Sequence, residues 1–474
     1  MMQVFHLACP LTLKVMEGSM SAYPGVAPQH WHPQNAQIAK LLRSTYSSGE
    51  LEATRSALVS HGTIKLRRYH SGGHSAVTVL DLDKTLESAV DGLLIFHWDR
   101  DNIMQALAEF VLSADNALNA GLGIDSEAWV RGLFSSITHH RRYEGRFLDV
   151  IHDKVSSADF GCRPNIRYNP IGLHELREPW GHAQNDALSY VNFLLFHAIN
   201  KGKLNWNDPR MVEGAAFATL LHCYFWKINV WADLELGAWE DKCAEHWSSI
   251  ACALVSFREQ LKAQHAHGEL KHERADRPYW CREQGIVGLI EKCEAKLQEL
   301  GTREFIRSDD GSQRDTDLAQ LNPLLLAAFS GEPVLSDENT VAVLENIERE
   351  LVGSLGIRRY RNDVWDGRIN RTDLGVDDET QWCHGSAQMS YIWGELYQRI
   401  GADRYFEKQL THFNRGLAAI SPRWSIPEAW ICDPITRSWI ADGNEPLAWA
   451  QAMLILSLSQ MKASVLLRER SKPI

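Results

Sequence analysis

Five short stretches of this chain set an aromatic ring beside carboxylates or a guanidinium. They are FHWDRD (96–101), REPWGHAQND (177–186), LGAWEDK (236–242), RRYRNDVWD (358–366) and IPEAWICD (426–433). Carboxylates and guanidinia bond sugar hydroxyls, often bidentately, and flat indole faces stack on the apolar faces of pyranose rings. Two carboxyls, one protonated and one ionised, suffice to hydrolyse a glycosidic bond. The composition is that of a sugar site, provided the fold brings the five loops together. The 17 Trp among 474 residues fit the same site, and they fit a Trp-rich helical core as well.

The segments between these loops show what must position them. Apolar residues recur at three-and-four spacing in NIMQALAEFVLSADNALNAG (102–121), NDALSYVNFLLFHAINKG (185–202), RMVEGAAFATLLHCYFWKI (210–228) and SSIACALVSFREQLKAQ (248–264). The pattern continues in GIVGLIEKCEAKLQEL (285–300), TVAVLENIERELVG (340–353), AQMSYIWGELYQRIG (387–401), DRYFEKQLTHFNRGLAAI (403–420) and LAWAQAMLILSLSQMK (447–462). Many of these helices end at Gly, the usual C-terminal punctuation. Strand–helix alternation is missing, so a doubly wound sheet is disfavoured. In a closed toroid of paired helices, alternate loops converge at one end of the ring, which would gather the five stretches. Residues 1–36 are aperiodic, and 37–60 look helical with a break at Ser47–Gly49. IKLRRYH (64–70) and AVTVLDL (76–82) are the strand-like runs of the first half. The charged segments 262–280 and 302–316 are expected as exposed loops, and no exact repeat is evident.

Bulk properties narrow the partners. With 45% hydrophobic and 23% charged residues the chain is ordinary globular protein. A net charge of −11 disfavours a nucleic-acid partner and suits a neutral polyhydroxyl substrate. The nine cysteines form no CxxC pair, which argues for reduced thiols in a cytoplasmic setting. The opening MMQVFHLACPLTLKV has no basic leader, and His6 and Pro10 interrupt it, so no signal peptide is expected. No run of eighteen uninterrupted apolar residues marks a membrane span. The histidines at 139–140 and 265–267 have no companions at metal spacing and are expected at the solvated surface, so neither a metal nor another cofactor is expected.

Taken in order, the five loops resemble glycoside hydrolase family 15, the glucoamylase family, and the related N-terminal domain of the phosphorylase kinase α and β subunits. The resemblance covers roughly 85–465. FHWDRD looks like the family's WxRD, whose Arg and Asp hold the non-reducing-end sugar, here Arg100 and Asp101. WGHAQNDALSY (180–190) is similar to the segment with a Gln-x-Asp core, giving Gln184 and Asp186. LGAWED resembles the segment bearing the general acid, which makes Glu240 that residue. GIRRYRND (356–363) resembles the Gly/Arg/aromatic/Asp segment in a form closer to the kinase subunits, matching Arg359 and Asp363. IPEAW, followed by PLAWAQAMLI (446–455) with Trp449, looks like the general-base segment and gives Glu428.

The resemblance implies an all-α (α/α)6 toroid, the six-hairpin glycosidase architecture, over 76–468, with an N-terminal extension at 1–75 and a tail at 469–474. It implies exo-acting, inverting hydrolysis of α-linked glucose. Glu240 would be the acid and Glu428 the base. Arg100, Asp101, Asp186, Arg359 and Asp363 would hold the terminal glucose, with Gln184 and Asp241 beside them. Trp98, Trp180, Trp239 and Trp430 would supply stacking faces. Trp239 would desolvate Glu240, and Asp241 would add like charge to it, both raising its pKa. The region around Asp186 departs from the fungal form, which leaves linkage and chain length open. The kinase-subunit likeness equally fits a glucan-sensing domain that binds without turnover.

One competing motif stands in the chain. VTVLDLDKTL (77–86) matches the first motif of haloacid-dehalogenase phosphatases, with Asp81 as nucleophile, Asp83 as acid/base and Thr85 following. That chemistry needs an alternating α/β body, whereas 100–300 read as helices; a capped helix start is the plainer account. NRT (370–372) fits a glycosylation sequon, without meaning in a cytosolic chain.

Overall fold

The structure, a computed structural model, describes residues 32–77, 96–115, 119, 122, 125–177, 179–270, 283–365, 371 and 378–471. The dehalogenase-like motif beyond Val77 and the outer residues of the NRT sequon lie outside the described residues.

Thirteen α-helices occur among the described residues. In the first half they are α1 (Ser48–Ser60), α2 (Asp99–Ala114), α3 (Ala128–Arg142), α4 (Gly145–Ile151), α5 (Asn185–Asn200), α6 (Met211–Ile228) and α7 (Trp247–His267). In the second half they are α8 (Glu283–Leu300), α9 (Leu321–Ser330), α10 (Asp337–Glu350), α11 (His384–Ile400), α12 (Asp403–Ala418) and α13 (Ala448–Ser471). Sheet is confined to two small antiparallel pieces. β1 (His97–Trp98) pairs with β2 (Arg167–Tyr168), and β3 (Gln381–Trp382) pairs with β4 (Ala429–Cys432), which turns back into β5 (Trp439–Ala441).

Six helices close a ring. α2 packs on α5, α5 on α7, α7 on α9, α9 on α11, α11 on α13, and α13 returns to α2. Their sequences explain why they lie inside. α5 is buried from Asn185 to Ile199, and α9 exposes little beyond Ala328. A helix apolar on every side must be covered on every side. The outer layer is more amphipathic. In α12 and α10 the buried residues follow one stripe and charges fill the other face. α3 packs on α2, α8 on α7, α12 on α11 and α13, and α1 on α13. The result is the expected toroid of helical pairs.

Residues before 76 take part in this ring. Ser47 caps α1 reciprocally with Glu50, at the break expected at Ser47–Gly49. Asn35 donates to the Ser421 carbonyl at 3.1 Å, Tyr46 donates to Asn414 at 2.7 Å, and Gln451 donates to the Thr63 carbonyl at 2.9 Å. α13 is long and apolar enough by composition to cross a membrane, and here it is an inner wall of the ring.

Three local expectations are corrected. IKLRRYH (64–70) is irregular rather than a strand, because Arg68 turns inward to Glu109 and the Gly72 carbonyl. His139 and His140 are buried, not solvated: His140 Nε2 lies 2.8 Å from Asp99, and His139 stacks on Tyr168 at 3.6 Å. The segment 262–280 begins in helix rather than loop, since α7 runs to His267, and its residues 271–280 lie outside the described ones; 302–316 is the largely exposed loop expected, pinned by the Phe305–Arg314 bridge and the buried Glu304.

Candidate active site

The inner helices explain where the site lies. α2 starts at the end of β1, α5 just after Gln184, α11 just after β3, and α13 just after Leu447. Side chains from all of these starts except that of α5, together with the loop at 236–241, line one cavity of about 950 Å³. Helix N-termini carry partial positive charge, so carboxylates gather there favourably. Asp99 and Asp101 lie in the first turn of α2 and Asp186 in that of α5.

The WDRD run illustrates the local logic. Trp98 and Arg100 reach the cavity, while Asp99 turns away. Asp99 is fully buried, accepts from Tyr168 at 2.7 Å, and is contacted by His140. Burial would raise its pKa, but the His140 and His97 contacts outweigh that and hold the carboxyl far below the usual range. This fixed base locks the first turn of α2.

Glu240 lies at the cavity wall in a loop closed by the Glu235–Ala244 bridge. Its backbone is left-handed, with φ +60°, a conformation that costs a non-glycine residue about 1–3 kcal/mol and is concentrated at functional positions. Gly237 shares the left-handed region at φ +64°, and a Cβ there would meet the His246 ring at 2.8 Å. Trp98 Nε1 donates to Glu240 Oε1 at 3.2 Å. Burial pushes the Glu240 carboxyl up, while Arg100, Gln184, Trp98 and Arg167 pull it down. The rise comes from desolvation by burial. The expected Asp241 contribution is corrected: Asp241 instead accepts from Tyr360 at 2.5 Å and lies 3.8 Å from Arg359.

Glu428 is delivered by strand pairing. Trp382 opposes Ala429, so Glu428 falls beside Cys383, whose N–H donates to the Glu428 carbonyl at 3.0 Å. The β4–β5 hairpin then brings Asp442 and Asn444 back beneath it. Asn444 Nδ2 donates to Glu428 Oε2 at 2.9 Å, and the Glu428 N–H donates to the Asn444 carbonyl at 3.0 Å. Burial raises Glu428, whereas the bonds from Asn444 and Asp442 favour its ionised form. Asp442 is itself pushed up by burial and by the Glu428 charge, so it is the protonated member of the pair. Asp101, at the same wall, is pushed up to about 7 by burial, and the charges of Glu428 and Glu240 add to the rise.

The remaining sequence candidates divide into those on the cavity and those behind it. Trp98, Arg100, Asp101, Trp180, Trp239, Asp241 and Arg359 line the cavity with the two glutamates. Gln184, Asp186 and Asp363 stand behind the wall and hold its arginines, which corrects their expected place on the sugar. Arg100 donates to Asp186 at 3.0 and 3.3 Å and to Gln184 at 2.8 Å; Arg359 donates to Asp363 at 2.7 Å through two nitrogens. Trp430 is also corrected. Its indole N–H donates to the Ala419 carbonyl at 3.1 Å and its ring is buried in the core, so it offers no stacking face.

Trp239 is fixed by its N–H to Asp317 at 2.7 Å and tilts toward Trp382 with ring centroids 5.7 Å apart. Arg167 covers the Trp180 face at 3.9 Å from the centroid. Arg167, Trp382, His384, Asp442 and Asn444 line the cavity without having been singled out from the sequence. ETQWCH (379–384) has the same aromatic-plus-polar composition as the five loops and could have marked two of them. Asp442 and Asn444 sit in a DGN turn, where the ordinary turn signal hides them. No group of metal-ligating side chains is found among the described residues.

Comparison with known proteins places this geometry. No family model matches the chain, and no curated protein matches its sequence. Solved structures match it over most of its length. A glycosidase aligns with a TM-score of 0.60 at 14% identity, covering 90% of this chain and 98% of that one. A glycosidase in complex with glucose aligns at 0.58 and 14%, with 90% and 98% covered. The glucoamylase from Saccharomycopsis fibuligera aligns at 0.58 and 14%, with 89% and 97% covered. The fold is therefore that of glucoamylases and glycosidases.

Proposed function

We propose that this chain is a glycoside hydrolase that removes glucose from the non-reducing end of an α-linked glucan or gluco-oligosaccharide, with inversion. The observation that carries the reading is the meeting of two carboxyls, Glu240 and Glu428, 188 positions apart (428 − 240), on the wall of one cavity where the charge of Glu240 acts on Glu428. Burial raises both carboxyls, and the feature that tells them apart is Asp442, whose own raised carboxyl bonds the ionised form of Glu428 and leaves Glu240 as the acid. Desolvated Glu240 keeps its proton for the leaving glycosidic oxygen. Glu428, with Asn444 and Asp442 bonding its ionised form, takes the proton of a water that attacks C1 from the opposite face. Inversion needs room for that water, a spacing of roughly 6.5–9.5 Å between the carboxyls. Arg100 and Arg359, each neutralised from behind, present their free edges to sugar hydroxyls, and Trp98 and Trp239 offer ring faces, while Arg167 takes that of Trp180.

The cavity gathers at the end of the ring where α2, α11 and α13 begin, which supports a glucan entering there by its end. The carbohydrate bound by one of the similar glycosidases, glucose, suits this cavity as well. The described cysteines are free thiols, which supports a reducing, cytoplasmic setting. The test is release of glucose from maltooligosaccharides, with the anomer followed by NMR. The β anomer is expected first, and Glu240→Gln and Glu428→Gln each lower kcat by about 10²–10⁴-fold while glucan binding persists. The α anomer would overturn inversion. Tight glucan binding by the wild-type protein without turnover would make the domain a sensor of the phosphorylase kinase kind.

A further inference from the structure

Asp317 is a buried carboxylate behind the loop that carries Glu240. It caps the single helical turn at 318–320 that leads into α9, its Oδ1 accepting the Ala319 N–H at 2.8 Å. Capping needs no more than such a bond, and Asp317 makes two others. Oδ1 also accepts the Trp239 indole N–H at 2.7 Å, and Oδ2 accepts from Arg314 at 2.7 Å. The Arg314 guanidinium in turn lies over the Tyr360 ring, 3.4 Å from its centroid, and the Tyr360 hydroxyl donates to Asp241 at 2.5 Å. Trp239 and Asp241 are the residues on either side of Glu240. The contacts thus form a circuit, Asp317 to Trp239 on one arm and Asp317 to Arg314, Tyr360 and Asp241 on the other, that closes across Glu240. Glu240 sits at φ +60°, and a non-glycine residue stays in that region only where its surroundings over-determine it. The Glu235–Ala244 bridge closes the loop at its base, and the circuit pins its tip.

We propose that Asp317 is a positioning residue for the general acid: it tethers Trp239 directly and Asp241 through Arg314 and Tyr360, and so keeps the Glu240 carboxyl aimed at the leaving oxygen. The inference rests on the hydrolase reading, because only a Glu240 that gives up a proton has an aim to keep. A misplacement of about 1 Å at a reacting group costs about 10²-fold. Here the loss falls on proton donation, since Glu428 is held independently, by Asn444 and by the pairing of β3 with β4. A substrate whose leaving group departs without a proton is therefore spared.

The experiment measures kcat/KM of wild type, Asp317→Ala, Asp317→Asn and Tyr360→Phe on maltose, phenyl α-glucoside, 4-nitrophenyl α-glucoside and α-glucosyl fluoride. The two aryl glucosides present the same ring and differ in how much their leaving group needs a proton; fluoride leaves with little or none. In Asp317→Ala the loss is expected to be about 10²-fold on maltose and the phenyl glucoside, smaller on the nitrophenyl glucoside, and within about threefold on the fluoride. Asp317→Asn keeps an oxygen for Trp239 and Ala319 but none for Arg314, and Tyr360→Phe cuts only the bond to Asp241. Each is expected to show the same grading at reduced size, and these two decide if Asp317→Ala does not fold. Equal losses on all four substrates would overturn the proposal, because they mark a merely structural role, and so would no loss on any. If wild type cleaves none of the four, the hydrolase reading has failed and takes this inference with it. If wild type cleaves them and the losses are ungraded, the inference alone fails.

Discussion

Replacing Trp98 by Phe keeps a ring at the cavity wall and removes one bond, Nε1–H to Glu240 Oε1 at 3.2 Å. That bond stabilises the ionised carboxylate, so its loss makes Glu240 harder to deprotonate. Hydrogen bonds to charged groups contribute about 1.5–3 kcal/mol. At 3.2 Å this one stands at the long end of the N–H···O range, so the lower figure applies. At 1.36 kcal/mol per pH unit, about 1.5 kcal/mol raises the Glu240 pKa by about one unit. Glu240 acts protonated, so its ionisation sets the basic limb of the pH dependence of kcat/KM. That limb is expected to move about one unit upward in Trp98→Phe. The acidic limb, set by Glu428, stays in place because Trp98 does not bond that residue. The assay is initial-rate hydrolysis of maltose across pH 3–9, with thermal melts of both proteins to show that the fold is kept. A basic limb that stays put or moves down would refute the assignment of Glu240 as the acid held by Trp98. A shift confined to the acidic limb would reverse the two roles.

Two further outcomes follow from groups around the site. Glu235 is buried and accepts the Gly237 N–H at 2.9 Å, and burial followed by the Asp186 charge pushes it up to about 7. Its folded value lies above the unfolded value of 4.5, so its favourable contribution is complete below about pH 4.5 and lost as pH rises through 7. The ionised group at pH 8 is thus destabilising by about 3 kcal/mol, from (7 − 4.5) × 1.36. Glu235→Gln, which keeps the acceptor, is expected to raise stability to urea by up to that amount at pH 8 and to change little at pH 4; equal effects at both pH values would refute the sign. Trp430→Phe leaves the Ala419 carbonyl without its donor and is expected to lower stability by about 1–3 kcal/mol while KM for maltose stays within about twofold. A large rise in KM with unchanged stability would return Trp430 to the sugar site.

Much of this protein was legible in its residues. Apolar spacing gave the helices, aromatic-plus-acid loops between them carried the composition of a sugar site, and the resemblance of those loops to glucoamylases implied the closed ring and singled out Glu240, Glu428, Arg100 and Arg359. Periodicity works here because it reports which residues must leave water, and that is a local property of the chain. It does not report what a buried side chain faces. Asp186 and Asp363 carry the same composition signal as Asp101, yet they lie behind the wall because each is met by a guanidinium at 3.0 Å or less. Trp430 sits two residues from Glu428 and still belongs to the core, since the Ala419 carbonyl at the end of α12 takes its N–H. His139 and His140 read as surface until the ring closed Asp99 and Tyr168 around them. His384, Asp442 and Asn444 join Glu428 only through the register of β3 on β4, which sets Gln381 opposite Trp430, and the return of β5, which sets Ala441 opposite the same Trp430. Burial was written in the sequence; direction waited for the strands and the ring to choose a partner for each polar atom, because a hydrogen bond's geometry exists only once both of its ends are in place.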